Sequence, residues 1–248
     1  MNSATHWNPA RLAAFVGIAA LLFCSWFFEP GRALWDRLDA AFFWMVNNSL
    51  ERDTIWTWFW AITNNRMFDL FAVSVVLLLF LSDGGLDKET NFRTRFAQFF
   101  SIGVLALIMV QIGKGLPIER ASPTRLFDGV VLLSNLVPEI SLKDSSGDSF
   151  PGDHGVSLFV FAVGALTYLT RSRAVMVVLA GIFFTLPRMM SGGHWLTDEI
   201  VGAVSIGIFT AGLFWHTPLQ HLNDTVVIPK LEGLIDRVFQ RINRLRPG

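Results

Sequence analysis

The stretch Arg188-Met-Met-Ser-Gly-Gly-His194-Trp-Leu-Thr-Asp198 leads directly into an apolar run that lasts to Trp215. A second stretch, Ser149-Phe-Pro-Gly-Asp-His154-Gly155, opens another apolar run that continues to about Thr170. Each sets a histidine beside glycines at the head of a segment long enough to be a helix. Free N–H groups and the positive end of the dipole favour an anion there. His194 and Asp198 are four residues apart and on a helix would share one face. A carboxylate so placed accepts from one ring nitrogen, fixes the tautomer and leaves the other nitrogen free to attack. Upstream, Lys114 and Arg120 flank a Gly-Leu-Pro break and, with Arg188, supply fixed positive charge. Two histidines, an orienting acid and three cations make a phosphoryl-transfer set.

Outward from these stretches the chain is apolar. Its 248 residues are 52% hydrophobic and 16% charged, with a mean hydropathy of +0.46. Soluble domains carry roughly 25% charge. With 23 Phe, 9 Trp and a single Tyr, the composition suits an apolar solvent bounded by aromatic interfaces. These features predict an all-α integral membrane protein. A net charge of +0 and the lack of a basic stripe with interleaved aromatics argue against nucleic acid as a partner. The lone cysteine, Cys24, excludes an intramolecular disulfide.

Six spans are expected: Leu12 to Phe28, Phe68 to Leu81, Phe96 to Ile112, Pro151 to Thr170, Ala174 to Leu186 and Trp195 to Trp215. The first reads as an uncleaved anchor, since it lacks a small-residue cleavage site. Between the first two, Glu29 to Asn48 carries Trp35, Leu38, Phe42 and Met45 at three- and four-residue steps, the pattern of an amphipathic helix on the membrane surface. Trp56, Trp58 and Trp60 read as an interfacial belt, beside a polar cluster of Asn64, Asn65, Arg66 and Asp69. That cluster is either an Arg66–Asp69 pair with asparagine caps or part of the active site. A loop spans 82–95, and Lys114 to Asp148 is the longest polar interval. Residues 1–215 thus form a six-span domain and 216–248 an amphipathic tail, too interrupted to cross a bilayer.

Six spans place both termini on one side, with 11 of the 20 Lys and Arg residues, and the loops bearing Lys114, His154 and His194 on the other. Three of the remaining nine, Lys114, Arg120 and Arg188, have a chemical reason to lie there. The positive-inside tendency then points to cytoplasmic termini and an active site on the far face.

Cations beside hydrocarbon are costly unless they serve a polar cavity. The expected chemistry is attack on phosphorus by His194, oriented by Asp198. Lys114, Arg120 and Arg188 would neutralise the equatorial oxygens. His154 would protonate the departing oxygen and then help deprotonate the acceptor. Gly152 and Gly155 would let backbone approach the phosphate. Asp153, Ser149, Asn65 and Arg66 are candidates for contact with the acceptor or for support around the phosphate. Two duller readings compete. His6, His216 and His221 are polar anchors, and His154 and His194 could be the same. Zinc could use His, His and Asp, but three cations around a metal argue against it.

The motifs resemble the type 2 phosphatidic acid phosphatase superfamily, with its K-x6-R-P, P-S-G-H and S-R-x5-H-x3-D signatures. The third is met by Arg188-x5-His194-x3-Asp198, with Pro187 in place of serine. The second appears as Pro151-Gly-Asp-His154, and the first as Lys114-x5-Arg120-Ala-Ser-Pro, one residue short. The resemblance implies a six-helix membrane fold, a phosphohistidine on His194, His154 as acid and base, and no metal or other cofactor. The departures, with Thr63-Asn-Asn-Arg66, resemble the phosphotransferase branch of the bacterial inner membrane. That branch takes undecaprenyl diphosphate as donor and phosphorylates the 1-phosphate of lipid A on the periplasmic face. Asp153 has no place in simple hydrolysis and is expected to pair with a nearby cation or to orient the acceptor. A plain lipid-phosphate or undecaprenyl-diphosphate phosphatase shares the same intermediate. A non-enzymatic lipid-binding or transport bundle would instead spread its charges across the bilayer.

Overall fold

The computed structural model describes residues 7–84 and 92–244 and is helical throughout, with one isolated β-bridge between Asn65 and Leu142 among the described residues. His6, Lys88, the loop residues 85–91 and Arg246 lie outside the described residues.

Helix α1 (Pro9–Cys24) begins with a proline, whose missing N–H costs nothing there, and Asn8 caps it by accepting from the Arg11 amide at 3.1 Å. Helix α2 (Gly31–Asn47) buries Asp39, Phe43, Val46 and Asn47. These fall at four- and three-residue steps, so one stripe faces the protein, while Leu38 and Met45 on the other side stay exposed. Helices α3 (Ile55–Thr63) and α4 (Arg66–Leu81) are separate elements. The break falls at Asn64 and Asn65, where Asn65 leaves helical geometry and caps α4 through the Met67 amide at 2.8 Å.

Helix α5 (Phe92–Lys114) is the longest of the first five. Two single turns, α6 (Pro123–Leu126) and α7 (Leu133–Leu136), interrupt the polar interval before α8 (Asp153–Tyr168), α9 (Arg171–Met190) and a π-helical segment, Asp198–Ala203, that runs into α10 (Val204–His216). Short α11 (Leu219–Leu222), a second π segment (Asn223–Val227) and α12 (Ile228–Arg244) complete the chain. Three of these segments are long and apolar enough to cross a membrane: Phe92–Lys114, Arg171–Met190 and Asp198–His216. Helices α1, α4 and α8 have 16 residues each, about 24 Å of rise, short of the roughly 30 Å of hydrocarbon.

The core lies where α5, α8 and α10 meet. Ile102, Ala106 and Met109 pack on Val156, Val160 and Val163 and on Ala203, Ile206 and Phe214. All follow helical spacing on one face of their element. Gly164 is required for this approach, because a Cβ there would lie 2.6 Å from Ile102 Cγ1. Against this core α1 lies along α10, with Phe15 edge-on to Trp215 at 6.0 Å.

At the end of the bundle away from the histidines, a buried pair ties four helices. Arg95 meets Asp83 at 3.1 Å, both 3% exposed, and donates to the carbonyl of Tyr168. Asp83 also accepts from the Thr170 amide (3.0 Å) and hydroxyl (2.7 Å), joining the α4–α5 connection to the α8–α9 turn. The tail is docked rather than free: Arg93 pairs with Asp236 at 2.6 Å and Thr94 donates to Glu232.

Candidate active site

His194 sits in the turn between α9 and the π segment. Gly192 turns the chain with φ +75, and a Cβ there would meet Thr124 at 2.6 Å and Phe43 at 2.9 Å. The amides of Gly193 and His194 both donate to the Arg188 carbonyl, at 3.0 and 3.1 Å. His194 precedes the helix, so the shared helix face expected for His194 and Asp198 is replaced by a turn. The pair still meets: Nδ1 lies 3.3 Å from Asp198 Oδ2, an ion-pair distance without hydrogen-bond alignment. That oxygen accepts from the Trp195 amide at 2.8 Å. Nε2 is left as the ring nitrogen available to react. Burial pushes the ring's pKa down, but the nearby Asp198 carboxylate, with the charges of Glu199 and Asp153, outweighs it and holds His194 above the ordinary histidine value.

His154 is the second residue of α8, and carboxylates flank both its nitrogens. Nδ1 is 2.7 Å from Asp153 Oδ1, and Nε2 is 3.3 Å from Asp69 Oδ1 and 3.4 Å from an Arg188 nitrogen. Arg188 in turn holds Asp69 at 2.9 Å and Asn64 Oδ1 at 2.6 Å. Asp153 also pairs with Lys114, at 3.3 Å. Asp69 turns to Arg188 and His154, and no Arg66–Asp69 pair forms.

Arg120 does not reach this cluster. Its guanidinium donates to Asp39 (2.5 Å), Thr197 (2.6 Å) and the far oxygen of Asp198 (2.9 Å), and it stacks over Trp26 and Trp195 at 4.8 and 4.6 Å. The residue expected to bind phosphate thus stands behind Asp198, with both terminal nitrogens bonded to Asp39, Thr197 and Asp198. Asp39 from α2 completes the arrangement, accepting from the Thr197 amide at 2.9 Å and hydroxyl at 2.6 Å. Burial raises the Asp39 carboxyl above its usual value, against the opposing pull of Arg120 and Thr197.

Gly152 and Gly155 also differ from expectation. On the side where each would carry a Cβ lies the carboxylate of Glu199, 2.2 Å from the Gly152 position and 1.7 Å from that of Gly155. The glycines make room for a buried acid. Glu199 is 4% exposed and neither oxygen has a hydrogen-bond partner among the described residues. It sits in the π segment, whose extra residue per turn lets Asp198 and Glu199 both face inward. Ser149 is buried and its hydroxyl donates to the Arg120 carbonyl at 3.2 Å, a clip on the loop. Asn65 likewise holds the Ser141 carbonyl at 2.8 Å.

The resulting cleft is about 250 Å³ and is lined by Arg66, Asp69, Lys143, Asp153, His154, Arg188, Gly193 and His194. A larger apolar groove of about 370 Å³ shares Asp69, Asp153 and His154 with it and runs between α4, α5 and α8, past Lys114, Val76, Val110 and Phe161. Sequence reasoning missed Lys143, Glu199 and Asp39. Lys143 lies in the polar interval with no motif around it, and Glu199 was hidden by its neighbour Asp198. The buried polar face of α2 was the one available signal for Asp39.

A buried histidine backed by a carboxylate, with a second histidine and an arginine lining the same cleft, is an arrangement suited to phosphoryl transfer. The chain belongs to the PAP2 superfamily, whose pattern matches residues 118–222. It is 35% identical over 216 residues to the lipid A 1-diphosphate synthase of Escherichia coli (strain K12), covering 84% of this chain and 87% of that protein. Over 76 residues, 30% of this chain and 38% of the relative, it is 29% identical to the "Putative undecaprenyl-diphosphatase YbjG" of the same organism. No solved structure matches the chain.

Proposed function

We propose that this protein moves the terminal phosphoryl group of undecaprenyl diphosphate to the 1-phosphate of lipid A, through a phosphohistidine on His194. The similarity to a lipid A 1-diphosphate synthase along nearly the whole of both chains carries the choice of substrates. The cleft supports the chemistry. Nε2 of His194 attacks the terminal phosphorus, the bond to the bridging oxygen breaks, and undecaprenyl phosphate leaves, its oxygen neutralised by a proton from His154. An oxygen of the acceptor phosphate then attacks the phosphohistidine and releases His194. Arg188 is placed for the equatorial oxygens, 3.4 Å from His154 and held by Asn64 and Asp69. Lys114 acts from the groove side through Asp153. The groove that opens from His154 has the apolar lining a polyprenyl chain needs.

In this reading the protein is a six-span protein of the bacterial inner membrane, with the short helices α1, α4 and α8 completing the six, the cleft facing the periplasm and both termini in the cytoplasm.

The test uses purified protein and undecaprenyl diphosphate labelled in its terminal phosphate, with and without lipid A in detergent. Label should move to lipid A, and His194→Ala should abolish all turnover. Release of free phosphate regardless of lipid A would make the protein a phosphatase, and full activity in His194→Ala would remove the nucleophile.

A further inference from the structure

Four cations stand around the catalytic histidines and a fifth, Arg120, behind Asp198, and three of the five are paired with carboxylates. Lys114 pairs with Asp153, Arg120 with Asp39 and Asp198, and Arg188 with Asp69. Arg66 and Lys143 both line the cleft, both are exposed, and neither has an ion-pair partner among the described residues. Both carboxylates in the lining are taken, Asp69 by Arg188 and His154, and Asp153 by Lys114 and His154.

Their placement is built by neighbours. The Lys143 carbonyl accepts from Asn64 Nδ2 at 3.1 Å, and the Ser141 carbonyl accepts from Asn65 Nδ2 at 2.8 Å. Asn65 and Leu142 also form the one isolated bridge. The same two asparagines precede Arg66, the first residue of α4, and Asn64 holds Arg188. One short asparagine pair therefore sets Arg66, Lys143 and Arg188 around a single opening. Two uncompensated cations held at the mouth of an anion-handling cleft have a chemical meaning: they await negative charge that arrives with the substrate.

We propose that Arg66 and Lys143 form a second phosphate subsite at the mouth of the cleft, which binds the phosphate that is not transferred while the reacting phosphoryl group lies against His194. This rests on the phosphotransferase reading. The ligand is a phosphate joined to, or about to be joined to, the reacting group through one bridging oxygen. It comes either from the donor, as the chain-linked phosphate of the diphosphate, or from the acceptor, as its monophosphate.

Full-length Arg66→Gln, Lys143→Gln and the double variant test it in detergent. Binding is measured first by titration calorimetry with inorganic pyrophosphate and with orthophosphate. The native protein should prefer pyrophosphate, and the double variant should lose at least about tenfold more affinity for pyrophosphate than for orthophosphate. An unchanged ratio between the two anions overturns the subsite. The label-transfer assay then identifies the source. A raised KM for undecaprenyl diphosphate, with that for lipid A unmoved, assigns the subsite to the donor, and the reverse assigns it to the acceptor. Both Michaelis constants unmoved would overturn the proposal. If His194-dependent transfer is absent altogether, the phosphotransferase reading falls, while the comparison of the two anions still decides whether the subsite exists.

Discussion

At the scale of single residues, the decisive quantity is the protonation state of His194. A nucleophilic imidazole must be neutral, yet Asp198, Glu199 and Asp153 all favour its charged form and outweigh burial, holding it above the ordinary value near 6.5. Arg120, on the far oxygen of Asp198, holds that carboxylate in place beside the ring. The sign follows. As pH falls through the raised pKa the ring takes a proton and the rate drops, so the acid limb of kcat/KM should lie above pH 6.5. Asp198→Asn should shift that limb to lower pH and cut kcat by roughly 10²- to 10⁴-fold, since the ring loses both its charge partner and its orientation. A limb that stays in place in the variant would show that some other group sets it. The histidines, Asp198 and Arg188 were legible in the sequence because their spacing is local. The partners of Arg120 were not legible, because Asp39 and Asp198 lie 81 and 78 residues away. No periodicity reports a contact of that range, and a cation near a motif looks the same whether it faces the cleft or supports it from behind.

Among the elements, apolar runs marked α1, α4, α5, α8, α9 and α10 and amphipathic periodicity marked α2 and α12, and errors fell at the ends. Apolar composition does not show where backbone hydrogen bonding stops, whereas caps do. Arg95 illustrates this. It was placed in a loop, yet it lies in the first turn of α5 and is buried against Asp83. The same carboxylate caps the start of α9 through Thr170, so one ion pair fixes the α4–α5 connection against the α8–α9 turn. Removing one partner leaves the other buried and uncompensated, at a cost of about 3–5 kcal/mol. Asp83→Ala should therefore lower the thermal midpoint in detergent markedly. The double variant Asp83→Ala/Arg95→Met should recover part of the loss, because a buried apolar side chain carries no charge to desolvate. Equal destabilisation by single and double variants would refute this account. The histidines lie at the opposite end of the bundle, so KM should change little in whichever variants fold.

For the whole molecule, the question is which end faces which compartment. The long polar interval between α5 and α8 and the turn bearing His194 meet at one end, clipped together by Asn64, Asn65 and Ser149. The other end carries the α4–α5 and α8–α9 connections and the docked α12. Two of its cations are neutralised in place, Arg95 by Asp83 and Arg93 by Asp236. The positive-inside tendency counts Lys and Arg rather than net charge, so these pairs do not weaken the assignment of this end to the cytoplasm. A cysteine-labelling experiment decides it. Cys24 is the only cysteine, so Cys24→Ser gives a background without thiols. On that background Ser145→Cys reports the exposed catalytic-end loop, and Gln240→Cys reports the exposed face of α12. With intact inner membranes exposed from the periplasm, a membrane-impermeant maleimide should label position 145 at once and position 240 only after permeabilisation. The opposite pattern would put the cleft in the cytoplasm, where a lipid acceptor phosphorylated on the periplasmic face would be out of reach. Labelling of both positions in intact membranes would mean an even number of crossings between them, and would remove α8, the short helix that lies between them, from the set that spans.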